Sequence, residues 1–406
     1  MFENPRKGVS VPVFKRSLVG RLVSRLGEPR RFIQVVVGPR QTGKTTAVRQ
    51  ALDGITTPCR FARASQDLGL PREWLRREWQ EARLLADGAG GRAVLVVDEI
   101  QMVPQWSAVV KELWDEDTDD GTDLMVVLTG SSALLLQKGL RESLAGRFEV
   151  LRCQQWEYAE CREAFGMSLD EYLFFGGYPG SLPLRDDVDR WVAYMQDSII
   201  NPSILNDVIG LERIAKPALM TALFHLGAAC SAQELSYRKI MGQLDDAGNT
   251  TTIAHYLDVL SDAGLLAGIQ KYSDGAVRRR ASSPRLAVYD TSLMTVCYGP
   301  RRPLLLDDPD RRGHLVESAV GAFLLKRSVA EGFEVNWWRD RNNREVDFVV
   351  TSGASRTAIE VKSGRIRRLG GLDAFCAENP GTRSLVVGSR ETPLEEFLLG
   401  RVPLFA

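Results

Sequence analysis

The chain has 406 residues, enough for two to four domains with well-formed cores, and its 44% hydrophobic and 26% charged residues are ordinary for a soluble protein. The 52 basic residues equal the 52 acidic ones, so no overall positive field would attract nucleic acid, and any such contact would come from local patches. Six dispersed cysteines without a CxxC pair and only three histidines argue against a disulfide framework or a structural zinc site. The sequence has neither the apolar core of a signal peptide nor an apolar run long enough to span a bilayer, so we expect a cytoplasmic protein without a membrane span.

The first 155 residues alternate apolar strands with helical patterns. This alternation predicts an α/β domain in which helices cover both faces of a parallel sheet. The predicted strands are RFIQVVVG (31–38), CRFARA (59–64), AVLVVDE (93–99), DLMVVLTGSS (123–132) and RFEVLRC (147–153), with helices at 42–52, 71–87 and 106–116.

The segment GPRQTGKT (38–45) fits the phosphate-loop pattern GxxxxGK[ST] and lies between a predicted strand and a predicted helix. Glycines let the backbone curl so that its N–H groups face phosphates, and the helix N-terminus adds further donors. We expect Lys44 to bridge the β- and γ-phosphates of ATP and Thr45 to ligate Mg²⁺. The predicted nucleotide-binding residues are Gly38, Pro39, Arg40, Gln41, Thr42, Gly43, Lys44, Thr45, Thr46, Asp98 and Thr129.

Two adjacent acids end the strand AVLVVDE. Buried carboxylates need partners, so a purely structural role for this pair is hard to explain. We expect Asp98 to hold the water shell of Mg²⁺ and Glu99 to polarise the attacking water. The pair predicts ATP hydrolysis, the enzymatic activity for which the sequence gives the strongest signal.

Two further polar features follow. In LTGSS (128–132), Thr129 or Ser131 suits a sensor of the γ-phosphate, although an ordinary turn after the strand explains the residues equally well. In GLRESLAGRF, Arg147 and Arg141 are candidates for the arginine that reaches a neighbouring subunit's γ-phosphate, and Arg147 is the preferred one. Such an arginine would imply an oligomer. The alternative for both arginines is a surface helix.

The middle of the chain reads as helical from 156 to 225, interrupted by the turn cluster FFGGYPGS (174–181). Three short helices and two strands then follow, over residues 216–290, in the order of a winged helix-turn-helix. Asn249 or a neighbouring threonine is a candidate cap for the third helix. The supposed wing carries Arg278, Arg279 and Arg280, which suit phosphate contacts, although winged helices also bind proteins.

The C-terminal segment predicts a helix, three strands, a second helix and a last strand. If EVDFVV (345–350) and AIEVKSG (358–364) pair about the turn SGAS (352–355), Asp347 lies opposite Glu360. Opposed carboxylates repel each other unless they share a cation, so Asp347 and Glu360, with Glu317 as an additional ligand, predict an Mg²⁺ site. Lys362 would then orient the attacking water of a nuclease. The alternative is the polar face of a hairpin.

Five segments together carry a resemblance to a known family: GPRQTGKTT, VVDEIQMVPQW, LTGSSALLL, LAGR and FFGGYPGS. They resemble prokaryotic AAA+ ATPases whose C-terminal half is known only as a domain of unknown function, and the likeness covers roughly residues 15–400. It implies an AAA+ core, a helical and winged-helix middle, and a restriction-endonuclease-like end of the PD-(D/E)xK type, to which REVDFVV…AIEVKSG is similar. The chain departs from that last motif, since REVD stands where a Pro-Asp pair is usual.

These observations predict four parts: an AAA+ ATPase domain at 1–165, a helical lid or linker at 166–215, a winged helix at 216–298 and a nuclease-like domain at 299–406. Two functions remain open. One is a DNA-dependent ATPase that remodels or translocates on DNA. The other is a nucleotide-switched interaction module whose nuclease-like domain is an inactive scaffold.

Overall fold

The computed structural model describes residues 14–64, 72–88, 90–130, 143–209, 214–245, 248–273, 283–298, 306–364 and 370–405. Several residues singled out in the sequence lie outside these ranges: Ser131, Arg141, Arg278, Arg279 and Arg280. None of the described helices is long and apolar enough to cross a membrane.

The N-terminal part is built on five parallel strands in the order β2-β3-β4-β1-β5. The central strands are rich in valine and buried along most of their length, as expected of a sheet covered on both faces. The strands are β1 (Ile33–Val37), β2 (Cys59–Arg63), β3 (Arg92–Asp98), β4 (Asp123–Gly130) and β5 (Phe148–Arg152). The parallel-sheet prediction is therefore confirmed.

Helices pack on both faces of this sheet and form two separate cores. One core includes Trp79, Trp106 and Trp114 from the helices that follow β2 and β3. The other joins the first two helices to the opposite face. The helices are α1 (Ser17–Leu26), α2 (Lys44–Leu52), α3 (Arg72–Gly88) and α4 (Trp106–Asp119). Because β4 lies between β1 and β3, the carboxyl ends of all three meet at one edge, where ligands of open α/β sheets bind.

The chain from 158 to 298 is mainly helical. Its helices are α5 (Tyr158–Phe165), α6 (Leu169–Phe175), α7 (Val188–Tyr194), α8 (Pro217–Ala229), α9 (Tyr237–Gly242), α10 (Thr250–Asp262) and α11 (Thr291–Thr295), with π-helical turns at Met195–Ile200 and Ser203–Ile209. Asn249 caps α10, as predicted, by accepting a hydrogen bond from the Thr252 N–H at 2.8 Å. Helix α9 is shorter than the helix predicted over SAQELSYRKIMGQL (231–244), because Ser236 caps it and the residues before it bond to the following hairpin.

Strands β6 (Leu266–Lys271) and β7 (Arg285–Val288) form the predicted hairpin. The hairpin does not stand alone, since β6 also pairs with β8 through Gln270 and Lys271. The resulting six-stranded sheet has the order β11-β10-β9-β8-β6-β7. The predicted boundary near residue 299 therefore falls within one continuous sheet.

The C-terminal part supplies the other four strands of this sheet. Its elements are α12 (Pro309–Glu331), β8 (Glu334–Arg339), β9 (Glu345–Ser352), β10 (Ser355–Val361), α13 (Gly370–Glu378), β11 (Arg383–Val387) and α14 (Leu394–Leu398). Helix α12 begins before His314, where the pattern HLVESAVGAFLLKRSVA predicts its start, because Asp308 caps it. One apolar core runs from Trp156 to Leu404 and joins the middle of the chain to this sheet.

Candidate functional site

The phosphate loop runs from the end of β1 to the start of α2. Two of its residues have left-handed backbone, Gln41 with φ 60° and Gly43 with φ 91°. Gly38 must lack a side chain, because a Cβ there would lie 2.0 Å from the carbonyl oxygen of Cys153. A loop with left-handed residues turns successive N–H groups toward one side, and the N-terminus of α2 adds to the positive potential. This is the backbone shape of an anion-binding loop.

The loop is held in place from behind. The hydroxyl of Thr42 donates to the carbonyl of Cys153 at 2.9 Å, so this side chain points into the scaffold. The carbonyl of Thr42 accepts hydrogen bonds from Trp156 Nε1 at 3.1 Å and from Arg16 Nη1 at 3.3 Å. Thr42 thus contributes its side chain to the shape of the loop. The neighbouring residues Arg40 and Gln41 are half-buried and exposed, respectively.

The predicted catalytic polar groups converge beside the loop. The buried Lys44 donates from Nζ to the carbonyls of Gly38 and Pro39, at 2.9 and 2.7 Å. The Asp98 side chain is only 1% exposed and accepts hydrogen bonds from Thr45 Oγ1 at 3.1 Å and Thr129 Oγ1 at 2.5 Å.

Glu99 follows Asp98 in an unusual conformation. Its φ of 57° lies in the left-handed region, which is costly for a residue with a side chain and is found most often at functional sites. Its N–H donates to Thr129 Oγ1 at 3.3 Å, and its carboxylate accepts a hydrogen bond from Gln101. Thr129 therefore contacts both acids at the end of β3.

The sequence interpretation missed Arg63 in this cluster. Arg63 ends β2 in register with Asp98, and its Nε donates to Asp98 Oδ2 at 3.0 Å. Its side chain is more than half exposed. The available signal was its position, because the last residue of each parallel strand reaches the same edge of the sheet.

The site suits Mg²⁺, which is bound by one or two carboxylates together with waters and substrate phosphates. The Thr45 hydroxyl and the Asp98 carboxylate already lie within hydrogen-bond distance of each other, which is the donor set expected beside a phosphate loop.

An apolar pocket of about 360 Å³ opens beside α2 and was also missed. Three of its residues are aromatic, with Trp156 packed between Phe14 at 5.2 Å and Phe165 at 5.4 Å between ring centroids. Pro179 and the exposed Thr46 complete the wall next to Gly43. Its walls come from four segments that are separate in sequence, which no local motif could connect.

Arg147, the predicted arginine finger, lies just before β5. Its guanidinium makes two hydrogen bonds to the carboxylate of Asp115 on α4, at 2.7 and 3.0 Å. The hydrogen bond with Asp115 keeps the pKa of Arg147 above its ordinary value. Within this chain the guanidinium is thus engaged by Asp115.

The phosphate loop also contacts the middle of the chain. At Gly264, in the turn between α10 and β6, a Cβ would lie 2.8 Å from Pro39 Cγ. Gln155 donates from Nε2 to the Gly264 carbonyl at 2.8 Å and to the Tyr178 hydroxyl at 2.9 Å. Tyr178 belongs to the GGYP turn singled out in the sequence, so this turn and the phosphate loop meet at one junction.

The predicted C-terminal residues lie on β9, β10 and α12. Residues Ser352 and Ser355 pair, as do Phe348 and Ile359, which confirms the assumed hairpin register and brings Asp347 and Glu360 to opposite positions. Lys362 Nζ lies 2.6 Å from Glu360 Oε1. The opposite oxygen, Glu360 Oε2, is buried and has no hydrogen-bond partner among the described residues.

Arg285 of β7, which the sequence interpretation did not consider, enters this cluster. Its Nη1 donates to Asp347 Oδ1 at 3.2 Å, and its Nη2 lies 2.8 Å from Glu317 Oε1 in an ion pair that is not aligned as a hydrogen bond. In the chain that the structure describes, no group of three or more His, Cys, Asp or Glu side chains is arranged to hold a metal ion. The residues expected to hold Mg²⁺ fit it poorly, because Arg285 already pairs with Asp347 and Glu317, and Lys362 pairs with Glu360.

The charges of this cluster shift its pKa values. Burial and the charge of Asp347 raise the pKa of Glu360 to about 7, although Lys362 opposes the shift. Burial, with Asp347 again contributing, raises the pKa of Glu317 well above its ordinary value. Burial alone would lower the pKa of Lys362, but the hydrogen bond with Glu360 raises it overall.

Comparison with known proteins agrees with the geometry of the phosphate loop. Residues 30–162 match a family model described as an AAA domain. Residues 166–301 and 312–399 match two further models, described as domains of unknown function (DUF8612 and DUF4143).

Among curated proteins, an uncharacterized protein of Mycobacterium tuberculosis is 26% identical over 336 residues, which are 82% of this chain and 70% of that protein. An uncharacterized protein of Haemophilus influenzae is 22% identical over 78% of this chain and 79% of its own length. Among solved structures, a Walker-type ATPase of Pyrococcus abyssi has a TM-score of 0.47 and 15% identity, over 70% of this chain and 96% of that one. By the family models, residues 30–162 are similar to an AAA domain, and the two segments that follow are similar to domains of unknown function.

Proposed function

We propose that this protein binds ATP with Mg²⁺ at the phosphate loop, hydrolyses it, and passes its nucleotide state to its C-terminal half, which serves as an interaction module. The observation that carries the ATPase proposal is the convergence of Thr45, Thr129 and Asp98 beside the loop, with Glu99 adjacent.

Each polar group then has a distinct role. Lys44 exchanges the carbonyls of Gly38 and Pro39 for β- and γ-phosphate oxygens, which offer its ammonium a stronger partner. Thr45 and Asp98 would hold Mg²⁺, which neutralises charge on the phosphate oxygens when it is bound. Glu99 accepts a proton from the attacking water.

Thr129 supports this arrangement because its hydroxyl bonds to Asp98 and to the N–H of Glu99. It thereby fixes the spacing between the acid that would face the cation and the acid that would face the water. The aromatic pocket beside α2 would take the base, since Phe14, Trp156 and Phe165 offer a flat apolar wall next to Gly43 and Thr46.

The contact between Pro39 and Gly264 supports the switch. A phosphate loop that closes on ATP moves Pro39, and the turn between α10 and β6 packs directly against that ring. Strand β6 in turn pairs with β8 of the C-terminal sheet. A continuous packed path therefore leads from the nucleotide to the distal sheet.

The second candidate is a DNA-dependent ATPase that remodels or translocates on DNA. A groove of about 730 Å³ at the turn between β8 and β9 favours it, because four basic residues and Trp338 line it against two acidic ones, Asp340 and Glu378. The basic residues are Lys271, Arg339, Arg341 and Arg344. Basic side chains beside an aromatic ring suit a nucleic-acid strand.

One experiment separates the two candidates. ATP turnover is measured with single-stranded, duplex and branched DNA, and amide hydrogen exchange of the C-terminal half is measured with and without ATP, with Lys44→Ala as the control. The switch predicts turnover that is indifferent to DNA, together with ATP-dependent exchange in β6 and β8. Stimulation of turnover by any DNA form favours the second candidate, and turnover that persists in Lys44→Ala would refute both.

Assembly is a further part of the proposal, in which Arg147 leaves Asp115 to reach the γ-phosphate bound by a neighbouring copy. Arg147→Ala should lower turnover at least tenfold while nucleotide affinity stays the same, because the group acts on the charge of the transition state. Asp115→Ala is the matched variant, since it breaks the same ion pair but keeps the arginine. Full activity of a strictly monomeric protein bound to ATP would contradict this role.

A further inference from the structure

We propose that the guanidinium of Arg285 occupies the cation position of the nuclease-like cluster, so that this sheet binds no divalent metal there and the cluster is an ionic joint between β7, α12 and β9. The inference goes beyond the proposed ATPase and does not depend on it, because none of its tests measures ATP turnover.

Arg285 is anchored through all of its nitrogen atoms. Its Nε donates to the Ala232 carbonyl at 3.2 Å, its Nη1 to both the carbonyl and the carboxylate of Asp347, and its Nη2 pairs with Glu317. The residue is 6% exposed. A guanidinium that donates three hydrogen bonds, pairs with a second carboxylate and is buried at this depth is a fixed part of the interior.

Asp347 is likewise held by hydrogen bonds within the protein. Its Oδ1 accepts from Arg285, and its Oδ2 accepts the N–H of Val361 at 2.8 Å. Both carboxylate oxygens are therefore engaged by the protein. A metal at this carboxylate would have to displace Arg285 or compete with it at very short range.

The charge balance points the same way. Arg285 and Lys362 face three carboxyl groups, those of Glu317, Asp347 and Glu360. Even with all three carboxyl groups ionised, the two basic side chains leave only a single negative charge in the cluster. Adding a divalent cation would leave buried positive charge in excess, which is costly in an interior of low polarity.

The rival explanation is a metal site whose carboxylates repel one another until a cation arrives, with Arg285 contributing little to their neutralisation. The two explanations predict opposite signs for one substitution. If the carboxylates form an empty metal site, replacing one of them reduces the repulsion between like charges. The protein should then be more stable in the presence of a chelator. If arginine already neutralises the carboxylates, replacing one of them leaves a buried guanidinium without its partner and destabilises the protein.

The first test is therefore thermal unfolding of the full chain in EDTA, with Asp347→Asn compared with wild type. Asp373→Asn, at an exposed position of α13, is the matched control. We expect the midpoint of Asp347→Asn to fall by several degrees and that of the control to stay within about one degree, as for most surface changes. A rise in the midpoint of Asp347→Asn would overturn the proposal.

The second test is titration with Mn²⁺ without nucleotide, followed by electron paramagnetic resonance of the free ion. Wild type and Asp347→Asn should give superimposable curves, because no ion depends on this carboxylate. Loss of a Mn²⁺ site in Asp347→Asn would refute the proposal.

The third test asks whether removing the arginine opens the site. Arg285→Gln should gain one Mn²⁺ site with at least tenfold tighter apparent binding than wild type, and the gain should vanish in the double variant with Asp347→Asn. If the folded Arg285→Gln protein gains no site, these carboxylates do not surround a cation position and the proposal is wrong. If Arg285→Gln does not fold, the first two tests still decide between the explanations.

Discussion

The ammonium group of Lys44 rests on two carbonyls of its own loop, and this position explains how the site stays ordered before a nucleotide arrives. A buried ammonium needs acceptors, and Gly38 and Pro39 supply them at hydrogen-bond distance. Phosphate oxygens carry full charge and are better acceptors than carbonyls. The resting contacts are therefore exchanged for stronger ones, at little cost in rearrangement.

Two substitutions should separate binding from chemistry. Lys44→Ala removes the cation that faces the phosphates, so we expect ATP affinity to fall by at least about 100-fold, as for a lost charge-assisted contact. Glu99→Gln keeps the shape but removes the base, so binding should persist while turnover falls by a factor of about 100 or more. Calorimetric titration and a phosphate-release assay measure the two effects. A Glu99→Gln protein with wild-type turnover would show that the base has been misassigned.

The raised pKa of Glu360 makes stability depend on pH. Because burial and Asp347 raise its pKa from 4.5 to about 7 in the folded state, the native protein binds this proton more tightly than the unfolded chain. Its contribution is complete below pH 4.5 and is lost as the pH rises toward 7 and beyond. Glu360→Gln has no such proton, so the free energy of unfolding of wild type relative to this variant should decline from pH 5 to pH 8.

Denaturant unfolding at four pH values across this range measures the difference. Glu378→Gln, at an exposed position of α13, serves as the control and should follow the wild-type curve. Parallel curves for wild type and Glu360→Gln would mean that the proton on Glu360 is not stabilised by folding.

Among the elements, α2 and α5 form the aromatic pocket together with Trp156, Pro179 and the segment before α1. We expect Phe165→Ala to weaken ATP binding by about tenfold, the loss expected for one aromatic wall. Affinity for inorganic tripolyphosphate should not change, because the phosphate loop remains intact. Phe405→Ala is the matched control, since Phe405 is equally half-buried but packs edge-on against Phe333 and does not line the pocket. Equal losses for ATP and tripolyphosphate would exclude a base in this pocket.

Elements with a strong local pattern were predictable from the sequence. The five parallel strands and the register of the β9–β10 hairpin follow from apolar periodicity and from the position of turns. The three groups beside the phosphate loop, Thr45, Asp98 and Thr129, were identified for the same reason, since each follows or ends such an element.

Arg285 and the aromatic pocket were not predictable, because their partners are distant in sequence. Arg285 stands 62 residues before Asp347 and looks like an ordinary exposed residue at the start of a strand. Only the association of β7 with α12 and β9 buries it. Local sequence carries propensity and periodicity, whereas the partner of a buried charge is decided by tertiary packing.

For the whole molecule, the junction between Pro39 and Gly264 offers a test of coupling. Gly264→Ala places a Cβ against the Pro39 ring at 2.8 Å, whereas Gly332→Ala has an equally left-handed backbone with open space around it. Both variants should lose about 1–2 kcal/mol of unfolding free energy from backbone strain. Only Gly264→Ala should also lose ATP affinity, by several-fold, because it displaces the phosphate loop. Equal ATP affinities in the two variants, measured by titration, would argue against coupling through this contact.

The pairing of β6 with β8 has a consequence for how the chain can be divided. One family model ends at residue 301 and the next begins at residue 312. The strands on either side of that gap nevertheless belong to one sheet and share one apolar core. A fragment cut there would present an unpaired strand edge and an uncovered apolar face, which favours aggregation. The unit that a family model recognises in the sequence is thus smaller than the unit that folds. The two C-terminal sequence domains should therefore be expressed, purified and exchanged between relatives only as a pair.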